Sequence, residues 1–306
     1  MITETYRRIT QFLSSILLMF PVLSQFKWTG FAPRWVCTPV MNCHGCQFSH
    51  FSCPIGVLLH YPGQFLTIPF LIIGTVLVLG GLFGRFLCGW ICPMGLLQDL
   101  LYKIPTPKFR IPGWMGYGKY AALIGLVILV PWFAATGYAS SWTYCQTFCP
   151  TAGLQVTIPT IYQGDYKLKL EPTPITNNVI SIPTVDRKNS DTQQWQPNWP
   201  ATIKIYLTLA FLVLFVFSSR IFCKTFCPIG AMMAVFNYFS LGKVKLPPKC
   251  IRCNRCSNEC PTDCQPMTRI AANIPPSRCG ECVLCNKCRD VCPVVRKEAN
   301  EAKTGV

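Results

Sequence analysis

Arg85-Phe-Leu-Cys88-Gly-Trp-Ile-Cys92-Pro-Met-Gly95 returns later in the chain as Arg220-Ile-Phe-Cys223-Lys-Thr-Phe-Cys227-Pro-Ile-Gly230. Each copy follows an apolar run and leads into another apolar stretch, residues 96–102 or 231–239, suited to lying along a membrane surface. A segment that recurs together with its flanks is an internal duplication. Both copies run in the same direction, so the two halves are expected to be related by an axis along the membrane normal. That symmetry would gather Cys88, Cys92, Cys223 and Cys227 at one face of the bilayer. Four thiols arriving as two C-x3-C pairs can hold one metal cluster; four inert buried cysteines are the alternative.

Outward from the duplication, four apolar runs read as spanning helices, at about residues 10–26, 65–83, 119–136 and 205–222, each near the ~20 residues a bilayer requires. The composition agrees, with 51% hydrophobic and 13% charged residues among 306, too apolar for an ordinary soluble domain. The first run follows Arg7 and Arg8 and has Val22 and Ser24 spaced like a cleavage site, so a signal peptide is the alternative there. Lys and Arg in short loops set orientation. The connection over residues 83–117 holds Arg85, Lys103, Lys108 and Arg110, whereas residues 27–63 hold only Lys27 and Arg34. The first is therefore placed inside, both termini in the cytoplasm, and loops 27–63 and 138–200 outside a multi-pass cytoplasmic-membrane protein. Residues 165–200 are polar, lack cysteine and read as an irregular outer loop.

The C-terminal part carries the most specific motif. Cys250, Cys253, Cys256 and Cys260-Pro261 form C-x2-C-x2-C-x3-C-P, and Cys282, Cys285, Cys288 and Cys292-Pro293 repeat it. Three thiolates on a tight loop grip three irons of a [4Fe–4S] cubane, and the fourth cysteine reaches the other cluster. Cluster A is thus assigned Cys250, Cys253, Cys256 and Cys292, and cluster B Cys282, Cys285, Cys288 and Cys260. Zinc is the rival, but its sites favour two separated C-x2-C pairs. Cys264 and Cys279 are left over and read as packed or free thiols. The predicted fold is an α-helical membrane domain over residues 1–242, its four transmembrane helices forming a duplicated two-helix unit. Residues 243–306 complete it as a small α+β, bacterial-ferredoxin-like cytoplasmic domain with two [4Fe–4S] clusters. The net charge of +16 does not point to nucleic acid, because cluster-bound thiolates offset much of it. The Lys and Arg residues serve as counter-charge and topology markers.

A further cysteine set falls on the outer side. Cys145-Gln-Thr-Phe-Cys149-Pro150 repeats the C-x3-C-P spacing, and the first loop adds Cys37, Cys43, Cys46 and Cys53-Pro54. The chosen ligands of this second membrane-side cluster are Cys43, Cys46, Cys145 and Cys149, with Cys37 and Cys53 as replacements or as a pair; disulfides are the alternative in an oxidising compartment. His44, His50 and His60 lie nearby as ligand or proton-acceptor candidates for quinol, or as interfacial polar residues. Trp28, Trp35, Trp132 and Trp142 read as an interfacial belt. No phosphate-binding or dinucleotide fingerprint and no catalytic pair is legible.

These motifs together resemble the membrane polyferredoxins of the NapH type, with NosR- and CcoG-type proteins sharing the same cysteines. The resemblance runs from about residue 65 to 292 and rests on Cys88, Cys92, Cys223, Cys227 and the eight ferredoxin cysteines. It implies one-electron transfer between the quinone or quinol pool and redox protein partners, in anaerobic respiration, with the carrier subunit of a quinol dehydrogenase complex as one form of that role. The outer cysteine set departs from the NapH pattern. A maturation factor supplying electrons for assembly of a copper or other cofactor enzyme is a second reading, and a redox-sensing regulator a third. A hydrocarbon layer of about 30 Å is too thick for one fast tunnelling step. A transmembrane relay therefore needs its sites to dip into the bilayer or another cofactor between them, and Pro69 and Pro131 permit such breaks.

Overall fold

The computed structural model describes residues 2–19, 38–43, 53–56, 58–59, 70–134, 143–163, 166–173, 182–188, 195–242, 244 and 250–297. Within these, the duplicated cysteine segments build the same local structure twice. Phe86–Trp90 carries Cys88, and Cys92 is the N-cap of Pro93–Leu101; Ile221–Thr225 carries Cys223, and Cys227 is the N-cap of Pro228–Phe236. Proline suits the first helical position, where its missing N–H costs no hydrogen bond. The preceding cysteine stays extended and offers its sulfur to the free N–H groups of the first turn: the Gly230 N–H donates to Cys227 Sγ at 3.3 Å.

The two copies interlock through their arginines. Arg85 Nη2 donates to the Cys223 carbonyl at 3.2 Å, while Arg220 pairs at 2.7 Å with Asp99 on the helix of the first copy. Asp99 also binds Arg7 of the N-terminal helix at 2.6 Å. Burial by itself would raise the Asp99 carboxyl, but Arg220 and Arg7 overcome this and hold it well below the usual carboxylate range. Its contribution to stability is therefore full above the unfolded carboxylate pKa and disappears as pH falls through the depressed value. Asp99→Asn leaves two buried guanidinium groups without a counter-charge, and thermal or denaturant unfolding is expected to register a loss of about 3–5 kcal/mol.

The N-terminal helix spans Ile2–Met19, earlier than the expected residues 10–26. Its polar stripe faces inward: Arg7 and Gln11 donate to the Gly89 carbonyl and Ser14 to that of Ile91. Phe12, Leu13 and Leu17 are exposed. Trp199–Phe217 repeats this arrangement, burying Thr202, Lys204 and Thr208 while Leu209 and Val213 face outward, whereas Phe70–Phe83 is apolar on both faces, with Ile72 and Val76 buried and Phe70, Leu77 and Val78 exposed. Among the described residues Trp199–Phe217 is the one helix long and apolar enough to cross a membrane; Ile72–Phe83 and Gly113–Leu129 are shorter apolar helices. The helix predicted at 205–222 is shifted. Asn198 caps it by accepting from the Ala201 N–H at 3.2 Å, and it stops at Ser218, before Arg220 in the left-handed region at φ 52°. Cys223 consequently lies on a separate short helix.

Prolines also reshape the remaining helices. Ala122–Leu129, Tyr144–Phe148 and Gly153–Thr157 are π-helical, and Pro131, Pro150 and Pro159 follow them closely. A proline removes one backbone donor and crowds the carbonyl a turn earlier, which widens the preceding turn.

Residues 165–200 are not the irregular loop expected. They contain an antiparallel sheet ordered β1 (Tyr166–Thr173), β2 (Ile182–Lys188), β3 (Trp195–Pro197). The alternation Tyr166-Lys167-Leu168-Lys169-Leu170 is the period-two signal of a strand. The Val185 N–H donates to Thr202 Oγ1 at 2.9 Å, tying the sheet to the start of Trp199–Phe217.

The ferredoxin motifs repeat at the backbone level. Arg252 and Asn254 adopt left-handed φ values of 54° and 58° before Arg255–Asn258, and Leu284 and Asn286 adopt 51° and 58° before Lys287–Asp290. The described residues 250–297 form short helices and no strand, so the β part predicted for this region is not seen there.

Candidate cluster-binding sites

The eighteen described cysteines are all free thiols, and sixteen of them fall into four groups of four. Cys250, Cys253, Cys256 and Cys292 line one cavity with the apolar side chains of Ile251, Met267, Ile270 and Val294, and Cys288 lines it too. Cys260, Cys282, Cys285 and Cys288 lie within one another's electrostatic field. Cys292 of the second motif thus lies beside the first set, and Cys260 of the first motif beside the second. Burial pushes the Cys285 thiol up to about 11; such a thiol holds its proton until a metal displaces it.

Cys88, Cys92, Cys223 and Cys227 form the third group, all buried and mutually interacting. Gln98 Nε2 reaches Cys223 Sγ at 3.2 Å. The fourth group consists of Cys43, Cys53, Cys145 and Cys149 around a cavity of about 190 Å³ that Lys204 also lines. Of the expected set, Cys43, Cys145 and Cys149 are brought together, and Cys53, held in reserve, joins them; Cys37 and Cys46 lie outside the described residues, as do His44, His50, His60, Trp28, Trp35 and Trp142. Cys53-Pro54-Ile55-Gly56 echoes the inner Cys-Pro-x-Gly turns. The Cys53 sulfur receives the N–H groups of Ile55 and Gly56, and that of Cys149 those of Thr151 and Ala152. Each membrane-side group thus pairs two Cys-Pro caps with two further cysteines.

These thiols fit clusters better than single ions. A zinc ion draws its ligands to about 2.3 Å from one point, and among the described residues no three Cys, His, Asp or Glu donors converge in that way. In the first and fourth groups the cysteines border a cavity, which suits a body with four metal corners. Lys204 also lacks an acidic partner in a described ion pair; its charge faces Cys149, Cys43 and Cys145, the arrangement that favours thiolates over disulfides.

The groups are contiguous. The loop between Cys279 and Cys285 rests on the third group: Trp90 Nε1 donates to the Leu284 carbonyl at 3.1 Å, and Asn237 Nδ2 donates to the carbonyls of Cys279 at 2.9 Å and Cys282 at 2.7 Å. Glu281 pairs with Arg85 at 2.7 Å and with Lys119. On the opposite side, Tyr144 is 1% exposed, donates to the Phe226 carbonyl at 3.4 Å and stacks at a tilt with its ring 5.7 Å away. Its hydroxyl lies within the field of Cys227 in the third group and of Cys53, Cys145 and Cys149 in the fourth.

A family model described as a 4Fe-4S binding domain matches residues 65–112 and 204–247, the two duplicated segments. Regulatory protein NosR of Stutzerimonas stutzeri is 25% identical over 205 residues, 64% of this chain and 23% of that protein. The putative electron transport protein YccM of Escherichia coli is 21% identical over 275 residues, 84% of this chain and 66% of that protein. The chain is thus similar to NapH/NosR-like polyferredoxins. It is also 26% identical to an uncharacterized protein of Methanocaldococcus jannaschii over 197 residues, 61% of the chain and 63% of the relative. It therefore spans less than two thirds of that relative and under a quarter of NosR. No solved structure matches it. The family model supports 4Fe-4S binding in the two duplicated segments, and YccM is described as a putative electron transport protein.

Proposed function

We propose that the four cysteine groups each hold a [4Fe–4S] cluster and form one relay across the membrane. The clusters supply one-electron carriage at thiolate-bound iron. Cys250, Cys253, Cys256 and Cys292 hold the first; Cys260, Cys282, Cys285 and Cys288 the second; Cys88, Cys92, Cys223 and Cys227 the inner membrane site; and Cys43, Cys53, Cys145 and Cys149 the outer one. The observation that carries this reading is contiguity: the second group's loop is seated on the third, and Tyr144 bridges the third and fourth. It answers the thickness problem, since the π-helical turns at Tyr144–Phe148 and Gly153–Thr157 bring the outer cysteines toward the inner ones. Irregular backbone is tolerated at membrane depth where protein buries it.

The chain's own residues have defined tasks in this relay. Arg85 and Arg220 position the inner cysteine segments, and Lys204 balances the outer thiolates. Tyr144 and Phe226 fill the gap between the two sites and exclude water. The outward-facing apolar side chains support four lipid-facing helices, residues 1–242 forming the membrane domain and 243–306 the cytoplasmic one, with both termini in the cytoplasm. Redox proteins are the partners on the cytoplasmic side, and quinone or an outer-side protein is the partner at the far end.

Anaerobic purification followed by iron and sulfide analysis and paramagnetic resonance tests the proposal. About sixteen irons per chain, four for each cubane, are expected. A content of about eight, with the membrane-side cysteines free of metal, overturns the relay and leaves a membrane-anchored two-cluster ferredoxin.

A further inference from the structure

The four cluster groups leave two described cysteines over, and the fold brings these two together. Cys264 and Cys279 are 5% and 7% exposed. The Cys264 thiol lies close to the Cys279 thiol, with which it shares a cavity, and to those of Cys260 and Cys282. Thr262 Oγ1 lies 3.4 Å from Cys264 Sγ and 3.7 Å from Cys260 Sγ, and the Cys264 N–H donates to Cys260 Sγ at 3.4 Å. Both cysteines also line an open surface cavity of about 250 Å³ with Gln265, Thr268 and Arg269. Arg269 holds the cavity wall by donating to the carbonyls of Cys264 at 3.3 Å and Arg278 at 3.1 Å.

We propose that Cys264 and Cys279 form a redox-active dithiol beside the second ferredoxin-type site, cycling between two thiols and one disulfide. The proposal rests on the reading of Cys260, Cys282, Cys285 and Cys288 as a cluster set, because only then are Cys264 and Cys279 free to react with each other. In the reductive direction the Cys264–Cys279 sulfur–sulfur bond breaks, two electrons enter one at a time, and two protons arrive from solvent through the cavity to leave two thiols. Oxidation reverses each step and returns both electrons. The electron-transfer activity of the chain supplies and accepts the electrons, so no other reagent is required. A pair of this kind stores two electrons next to one-electron carriers. Inert core cysteines have no need to be paired, to lie beside two cluster ligands and to border a solvent-open cavity at once. A thiol's access to solvent and its neighbours decide whether it reacts, and a buried thiol away from both stays inert.

The test uses the full chain, purified without oxygen in detergent and divided into a dithionite-reduced and a dye-oxidised sample. Each is denatured in excess iodoacetamide, digested without reductant and examined by mass spectrometry. A peptide pair linked through Cys264 and Cys279 is expected in the oxidised sample alone, with equal iron content in both samples before denaturation. Two alkylated thiols in both samples overturn the proposal. Cys264→Ser is expected to keep its iron but to lose two electrons of uptake per chain in a reductive titration. Loss of about four irons from this variant makes Cys264 a ligand and overturns the proposal as well. Cys288→Ser tests the underlying reading separately: it should lose about four irons, and an unchanged content removes that reading while the linked peptide still decides the dithiol.

Discussion

Cys53→Ser is expected to remove about four of about sixteen irons and the paramagnetic signal of one cluster, leaving both ferredoxin-type clusters reducible. The Cys53 thiol is buried with that of Cys149 and meets the half-buried Cys43 at the cavity that Lys204 lines, and a serine hydroxyl does not ionise to replace a thiolate there. The described group is complete with Cys53, so Cys46→Ser is expected to retain its iron. Measured side by side, iron loss in the Cys46 variant alone removes Cys53 from the site, and equal loss in both overturns the expectation for Cys46. A disulfide at this position gives a third pattern: neither variant loses iron, and each gains a free thiol. Lys204 argues against it, because a buried cation is stabilised by thiolate charge and gains nothing from a neutral disulfide.

The ferredoxin ligands and the inner group were legible because each is a local spacing or a repeat of one. Cys88, Cys92, Cys223 and Cys227 could be brought together from the duplication alone, and the arginine before each pair marked where the copies interlock. The outer group was legible only in part. Cys43 and Cys46 have a metal-gripping spacing, and that local cue outweighed the Cys-Pro turn at Cys53, which joins the group through long-range contacts with Tyr144–Phe148 and Pro150–Ala152. Tyr144 itself carried no signal. A tyrosine before a cysteine is unremarkable until Trp199–Phe217 and Phe226 are packed against it. The sheet was missed for a different reason: prolines and polar residues masked a short period-two alternation. Helix ends moved wherever a cap decided them, as at Asn198, because capping chemistry extends a helix beyond its apolar run.

Gly89→Ala is expected to slow electron exchange between the ferredoxin-type pair and the membrane clusters without changing iron content. A methyl group at Gly89 would lie 2.2 Å from the Val283 carbonyl oxygen and 3.2 Å from Val283 Cβ. The obstacle is backbone, so it cannot rotate away, and the Gly89 carbonyl is also held by Arg7 and Gln11. Relief has to come from lifting the Cys279–Cys285 loop off the inner site. Overpacking of this kind costs about 1–3 kcal/mol, which shifts the seated population by roughly 5- to 150-fold. The Trp90–Leu284 and Asn237–Cys282 hydrogen bonds would lengthen with it, exposing the Arg85–Glu281 pair to water. Cys282 and Cys285 move with the loop as a unit while the inner cysteines stay in place, so iron, sulfide and the resonance signals of the isolated clusters should match the unmodified chain. The readout is the rate at which the membrane clusters are reduced after rapid reduction of the ferredoxin-type pair, with the magnetic coupling between the second and inner clusters as a distance check. An unchanged rate and coupling would mean that electrons do not pass through this contact. A slower rate with full iron content would identify the seated loop as the junction between the soluble and membrane halves of the relay.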